Sequence, residues 1–186
     1  MPNQAVGIIQ SIALTVILLS TAAQTSAQER YVRASVAKDG TLQIVTTAGR
    51  VVTPSPEPER ASIGKQVGFG DIQVAPDQRA VGWVALFPNC CTSYPIPLAL
   101  VVYSSGIKRT YTGNGLPIWK WRFIAGGTQV AFRQETVQGG LNVQYELRDV
   151  RNGELITQYN PALGADNQRL PNQPVPEWVA SLDAEQ

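Results

Sequence analysis

From Tyr31 onward, apolar and polar positions alternate along the chain with a period of two, and a helical period is hard to find. That alternation predicts strands that lie half-buried in antiparallel sheets. The run "YVRASVAKDGTLQIVTTAGRVV" sets Asp39-Gly40 between two β-rich stretches, and "VQYELRDVRNGELITQY" does the same around Asn152-Gly153. Asp-Gly and Asn-Gly tolerate the positive φ of tight turns, so both stretches predict hairpins. In the second, Val143, Tyr145 and Leu147 share one face while Gln144, Glu146 and Arg148 share the other, which predicts a half-exposed strand. "LALVVY", Leu98 to Tyr103, lacks polar positions and should be covered on both faces. "IWKWRF" alternates again, with Ile118, Lys120 and Arg122 on one side and Trp119, Trp121 and Phe123 on the other.

Prolines punctuate what remains. Pro54, Pro56 and Pro58 stand at every second position of "TPSPEPER", so residues 53–60 are expected as an extended, exposed loop. Residues 160–186 form a second proline-punctuated stretch, a surface tail that leads into "PEWVASLD". There Pro176 suits the first turn of a short helix, with Trp178 and Leu182 one turn apart to dock it.

The strand pattern recurs at a little under about fifty residues, the signature of an internal repeat. "VAPDQRAVGWV" from Val74 aligns with "FIAGGTQVAFR" from Phe123, and "LALVVYSSGIKRTY" aligns with "YELRDVRNGELITQY". Each unit reads strand, tight turn, strand, loop, strand, hairpin, strand. "LQIVTTAGRVV" matches the last hairpin of a third, partial unit. The Pro76-Asp77 turn followed by the strand Gly82-Trp83-Val84 resembles the repeat of TolB-like β-propellers, with Gly126-Gly127 in the second unit where that family has Asp-Gly. The block Asn89-Cys90-Cys91-Thr92-Ser93-Tyr94-Pro95 is similar to one carried by a group of exported bacterial proteins, a resemblance that implies export and no mechanism. A propeller needs about four blades to close. Two to three propeller-blade-like meanders must instead pack as a sandwich-like or incomplete-propeller domain. The expected fold is therefore all-β, with an N-terminal signal helix and a short C-terminal helix.

Composition adds location and exclusions. The chain of 186 residues has 44% hydrophobic and 16% charged residues, which suits one folded domain. The first charged side chain is Glu29; before it, Ile12 to Leu19 is nearly unbroken apolar and Thr25-Ser26-Ala27 fits a small-x-small cleavage site. Residues 1–27 are expected as a signal peptide, or as an uncleaved anchor, followed by an all-β domain over 28–186. Either way the domain is expected outside the bacterial cytoplasm, in the periplasm or beyond. A net charge of +1 gives no reason to expect nucleic acid as a partner, and membrane contact would come only through an uncleaved anchor. The absence of histidine removes the usual general base and the commonest metal ligand.

Cys90 and Cys91 are the only cysteines. They are too few for a structural zinc site, and nothing beside them supports copper, so no metal or other cofactor is expected. Thiol exchange normally uses Cys-x-x-Cys before a helix, whereas here a strand follows. A vicinal disulfide stiffening the bend, or two small side chains packed separately, are the readings left open. Trp119 and Trp121 suggest either a stacking platform for sugars or core filling. Lys108, Arg109, Lys120 and Arg122 make a modest basic patch or scattered solvated cations. Among the acids Asp71, Asp77, Glu135, Glu146 and Asp149, Asp77 reads as turn chemistry, and no catalytic pair is assigned. Functional residues concentrate in longer loops. Asn89, Thr92, Ser93 and Tyr94, with Gln138 and Asn142, are accordingly the binding-loop candidates. The function expected is that of a non-catalytic binding or scaffold module contacting a protein partner, with oligomers through exposed strand edges as a further outcome. Its alternatives are a thiol-redox protein using the cysteines and a carbohydrate-binding module using the tryptophans.

Overall fold

The computed structural model describes residues 29–89, 93–139, 142–164, 170 and 172–184; the expected signal peptide, Cys90, Cys91 and Thr92 lie outside the described residues. The strands of the described residues form three antiparallel sheets, and none of these closes on itself. The first sheet holds β1 (Tyr31–Val36), β2 (Leu42–Thr46) and β3 (Val51–Val52) in sequence order. The second is a four-stranded meander of β4 (Gly68–Val74), β5 (Ala80–Phe87), β6 (Ile96–Ser104) and β7 (Ile107–Tyr111). The third repeats that meander with β8 (Ile118–Ile124), β9 (Gln129–Gln134), β10 (Gln144–Asp149) and β11 (Leu155–Tyr159). A helix, α1 (Glu177–Asp183), follows after the tail. The repeated sequence unit is thus one meander. No helix among the described residues is long and apolar enough to cross a membrane.

Turn chemistry acts where the sequence places it. The β1–β2 hairpin closes at Asp39-Gly40, where Gly40 has φ 82° and Asp39 Oδ1 accepts the Thr41 amide at 3.0 Å. The β10–β11 hairpin closes at Asn152-Gly153, with the Asp149 amide donating to the Glu154 carbonyl at 3.0 Å.

The sheets stack face on face, and the strand period dictates how. In β5, Val81, Trp83, Ala85 and Phe87 turn toward the first sheet and pack with Tyr31, Leu42 and Ile44. Ala80 and Val84, of opposite parity, turn toward the third sheet and pack with Ile118, Trp121, Phe123 and Phe132. The middle sheet is therefore covered on both sides, as the unbroken apolar run in β6 requires. Gly82 sits at the closest approach of the two meanders. A methyl group there would overlap the Trp121 ring, so the missing side chain lets the indole lie against the backbone of β5. The far face of the third sheet is covered by α1, whose buried Val179 and Leu182 join Ala131, Tyr145 and Leu147. Both residues expected to dock the helix pack there: Leu182 is buried in the cluster, and Trp178 packs against it partly buried, edge-on to Tyr145 with centroids 6.4 Å apart.

Two local expectations are corrected. Ile118 does not lie opposite the tryptophans, because the pairing of β8 with β9 slips between Ile118 and Lys120. That bulge puts Ile118 in the cluster of Trp121 and Phe123, and turns Trp119 toward the cluster around Trp83. Strand β10 is not half-exposed. Its polar face is covered by the Tyr111 ring and by the connection from β7 to β8, leaving Glu146 only 6% exposed. The proline segment is exposed over most of its length, as expected, but it is also anchored: Pro54 is buried, and Lys108 on β7 donates to the carbonyls of Ser55 and Pro56 and pairs with Glu57 at 3.0 Å.

Candidate functional site

In a four-stranded meander the first and third turns lie at one end and the middle loop at the other. The described binding-loop candidates occupy middle loops. Asn89, Ser93 and Tyr94 belong to the β5–β6 connection, and Gln138 and Asn142 to the β9–β10 connection. Val137 packs on the cluster that holds Phe87 and Ile96, which brings the two loops to the same end of the stack. Ser93, Tyr94, Gln138 and Asn142 are exposed, and Asn142 takes a left-handed φ of 54°. Neither of two clefts elsewhere on the described residues is lined by them.

A cleft lies at the opposite end, where the tight turns of both meanders meet. It encloses about 490 Å³, a size that suits a small organic ligand. One wall is the β4–β5 turn with Asp77 and Arg79, and Arg109 enters from β7. The other wall is the β10–β11 hairpin with Asp149 and Arg151, floored by Gly127. Both walls are built alike. Asp77 Oδ1 accepts the Arg79 amide at 3.0 Å, and Asp149 Oδ1 accepts the Arg151 amide at 2.7 Å. Each aspartate thus fixes a turn that presents an arginine two residues on. Gly127 admits the first turn into the third sheet: it has φ 106°, and a Cβ on it would lie 2.7 Å from Asp77 Oδ1.

The sequence showed the Asp77 turn but not the cleft. The signal it carried was the pair Asp77-x-Arg79 and Asp149-x-Arg151, which falls at the first turn of one unit and the last hairpin of the next. Only the stacking of the units puts the two motifs face to face. The remaining acids serve structure. Glu146 accepts from Arg148 Nε at 2.7 Å and from Gln134 Nε2 at 3.3 Å, and Gln134 Oε1 accepts the Asn114 amide at 3.1 Å. Arg148 in turn lies over the Tyr111 ring, 5.4 Å from its centroid. Burial pushes the Tyr111 phenol above its ordinary pKa, against the opposing pull of Arg109 and Arg148.

The two tryptophans lie in different surroundings. Trp121 is buried between the meanders, its indole N–H donating to the Asp71 carbonyl at 3.1 Å. Trp119 is turned away by the bulge, and the two rings share only the rim of a polar pocket of about 180 Å³. The cations disperse likewise: Arg122 donates to the Ser181 carbonyl of α1, Lys108 holds the proline segment, and Arg109 enters the cleft.

The last strands of the two meanders differ at their free edges. Strand β7 carries Lys108 and Arg109 and is tied to the proline segment. Strand β11 is exposed along Leu155, Ile156, Thr157 and Gln158, with Leu155 and Ile156 each 46% exposed. It is the terminal strand of its sheet, and it contains neither lysine nor proline.

A scan against protein-family models and a search of curated proteins each find no match to the chain.

Proposed function

We propose that the chain is an exported, non-catalytic binding module of the bacterial cell envelope, built of propeller-blade-like meanders, which captures a partner protein by strand addition at β11. The observation that carries this reading is the contrast between the two terminal strands. An open strand edge presents unpaired backbone donors and acceptors, and proteins ordinarily blunt such edges with lysine, proline or a covering segment. Strand β7 has all three in Lys108 and the segment 53–60, and among the described residues β11 has only a bulge opposite Leu147 and Arg148. Two exposed aliphatic side chains beside an open ladder are what strand addition uses: main-chain bonds for affinity and side-chain pockets for specificity.

Site-specific photo-crosslinking in the native envelope tests the proposal. A crosslinker at Ile156 should give one discrete heterologous adduct that disappears with Leu155→Lys, and the same crosslinker at Ile107 on β7 should give none. Equal labelling from both positions, an adduct that survives Leu155→Lys, or an adduct with a second copy alone would overturn it.

A further inference from the structure

We infer that the cleft between the turn ends of the two meanders is a binding site for a small polyhydroxylated anion, of the class of sugar phosphates and sugar acids. This site is distinct from the β11 edge and does not depend on it.

The charge arrangement carries the inference. Arg79, Arg109 and Arg151 all line the cleft. Among the described residues none of the three guanidinium groups has a carboxylate within ion-pairing distance. Elsewhere Arg50, Arg133 and Arg148 each pair with a glutamate. The cleft is therefore where guanidinium groups converge without internal neutralisation, and a guanidinium fork matches carboxylate and phosphate oxygens.

The two aspartates restrict the class further. Asp77 and Asp149 use Oδ1 to hold their own turns, so the geometry places carboxylates beside the arginines without spending them on those arginines. Three cations against two anions leave an excess of one positive charge, so a ligand that is anionic throughout would meet repulsion as well as attraction. A ligand with one oxyanion for the arginines and hydroxyl donors for the carboxylates satisfies both signs. Ile107 adds an apolar wall on which the carbon face of such a ligand can rest.

Calorimetric titration of the folded chain at fixed ionic strength, with glucose 6-phosphate, gluconate and inorganic phosphate as probes, decides the matter. Saturable binding of glucose 6-phosphate or gluconate is expected, tighter than that of inorganic phosphate. Arg109→Gln should weaken it by about tenfold or more, as loss of a charged hydrogen bond does. Arg151→Gln, on an exposed hairpin, should act in the same direction and serves as the readout if Arg109→Gln compromises folding. Lys65→Gln, an exposed charge outside the cleft, should leave binding unchanged. No saturable heat with either sugar ligand, inorganic phosphate binding as tightly as both, or equal loss in Lys65→Gln would each overturn the inference.

Discussion

The two four-stranded meanders share strand order and turn positions, yet they are stabilised differently. The β4–β7 sheet lies inside the stack, with β5 and β6 almost wholly buried and apolar cover from a sheet on either side. The β8–β11 sheet lies at the end of the stack. Its inner face is apolar along β8 and β9 but turns polar along β10, where Glu146, Gln134 and Arg148 form a closed network under Tyr111. Its outer face is covered by α1 rather than by another sheet. The same topology thus tolerates two kinds of interior, the polar one held by the hydrogen bonds that Glu146 accepts from Gln134 and Arg148. The difference extends to the edges: the inner meander has its last strand blunted by Lys108 and the proline segment, and the end meander does not.

Breaking the shared interface should have the largest effect. Trp121→Ala removes the ring that fills the space over Gly82 and joins both meanders, and it should cost about 3–5 kcal/mol in denaturant unfolding. A cost below about 1 kcal/mol would mean that the meanders do not depend on each other. The polar interior of the end meander should come next. Glu146→Ala leaves Arg148 and Gln134 without their acceptor and should destabilise by about 1.5–3 kcal/mol. Glu146→Gln, which keeps an acceptor, should cost less; equal losses would show that packing rather than the network matters there.

The smallest effect should come from Tyr111, which touches both meanders. Its hydroxyl is buried without a hydrogen-bond partner among the described residues, so Tyr111→Phe should leave stability near neutral pH unchanged within about 0.5 kcal/mol. Its pH signature is sharper. The folded phenol titrates above its unfolded value, so its share of stability is complete below the unfolded pKa, about 10. It is lost as the pH rises through the folded value. The alkaline fall in unfolding temperature should be shallower in Tyr111→Phe, with one fewer late-titrating phenolate by absorbance.

Much of this was legible in the residues. The hairpins at Asp39-Gly40 and Asn152-Gly153, the doubly buried Leu98 to Tyr103 run and the repeat of one meander per unit all follow from turn chemistry and a period of two. The candidate sites were less legible. Longer middle loops drew attention to Asn89, Tyr94, Gln138 and Asn142, while the cleft arises at the opposite end from short turns that look purely structural. Trp119 and Trp121 read as a stripe because alternation presumes an unbroken register, and one extra residue in β8 separates them.

The amino-acid order alone determined which segments become strands, where they turn and that the unit repeats, because backbone dihedral preferences and alternation are local properties. Tertiary structure decided which polar faces are covered, where β8 slips register and which turns meet. Those outcomes depend on sheets stacked from distant segments: the Asp77 and Asp149 turns share a cleft only because Gly82 and Gly127 let the two meanders approach.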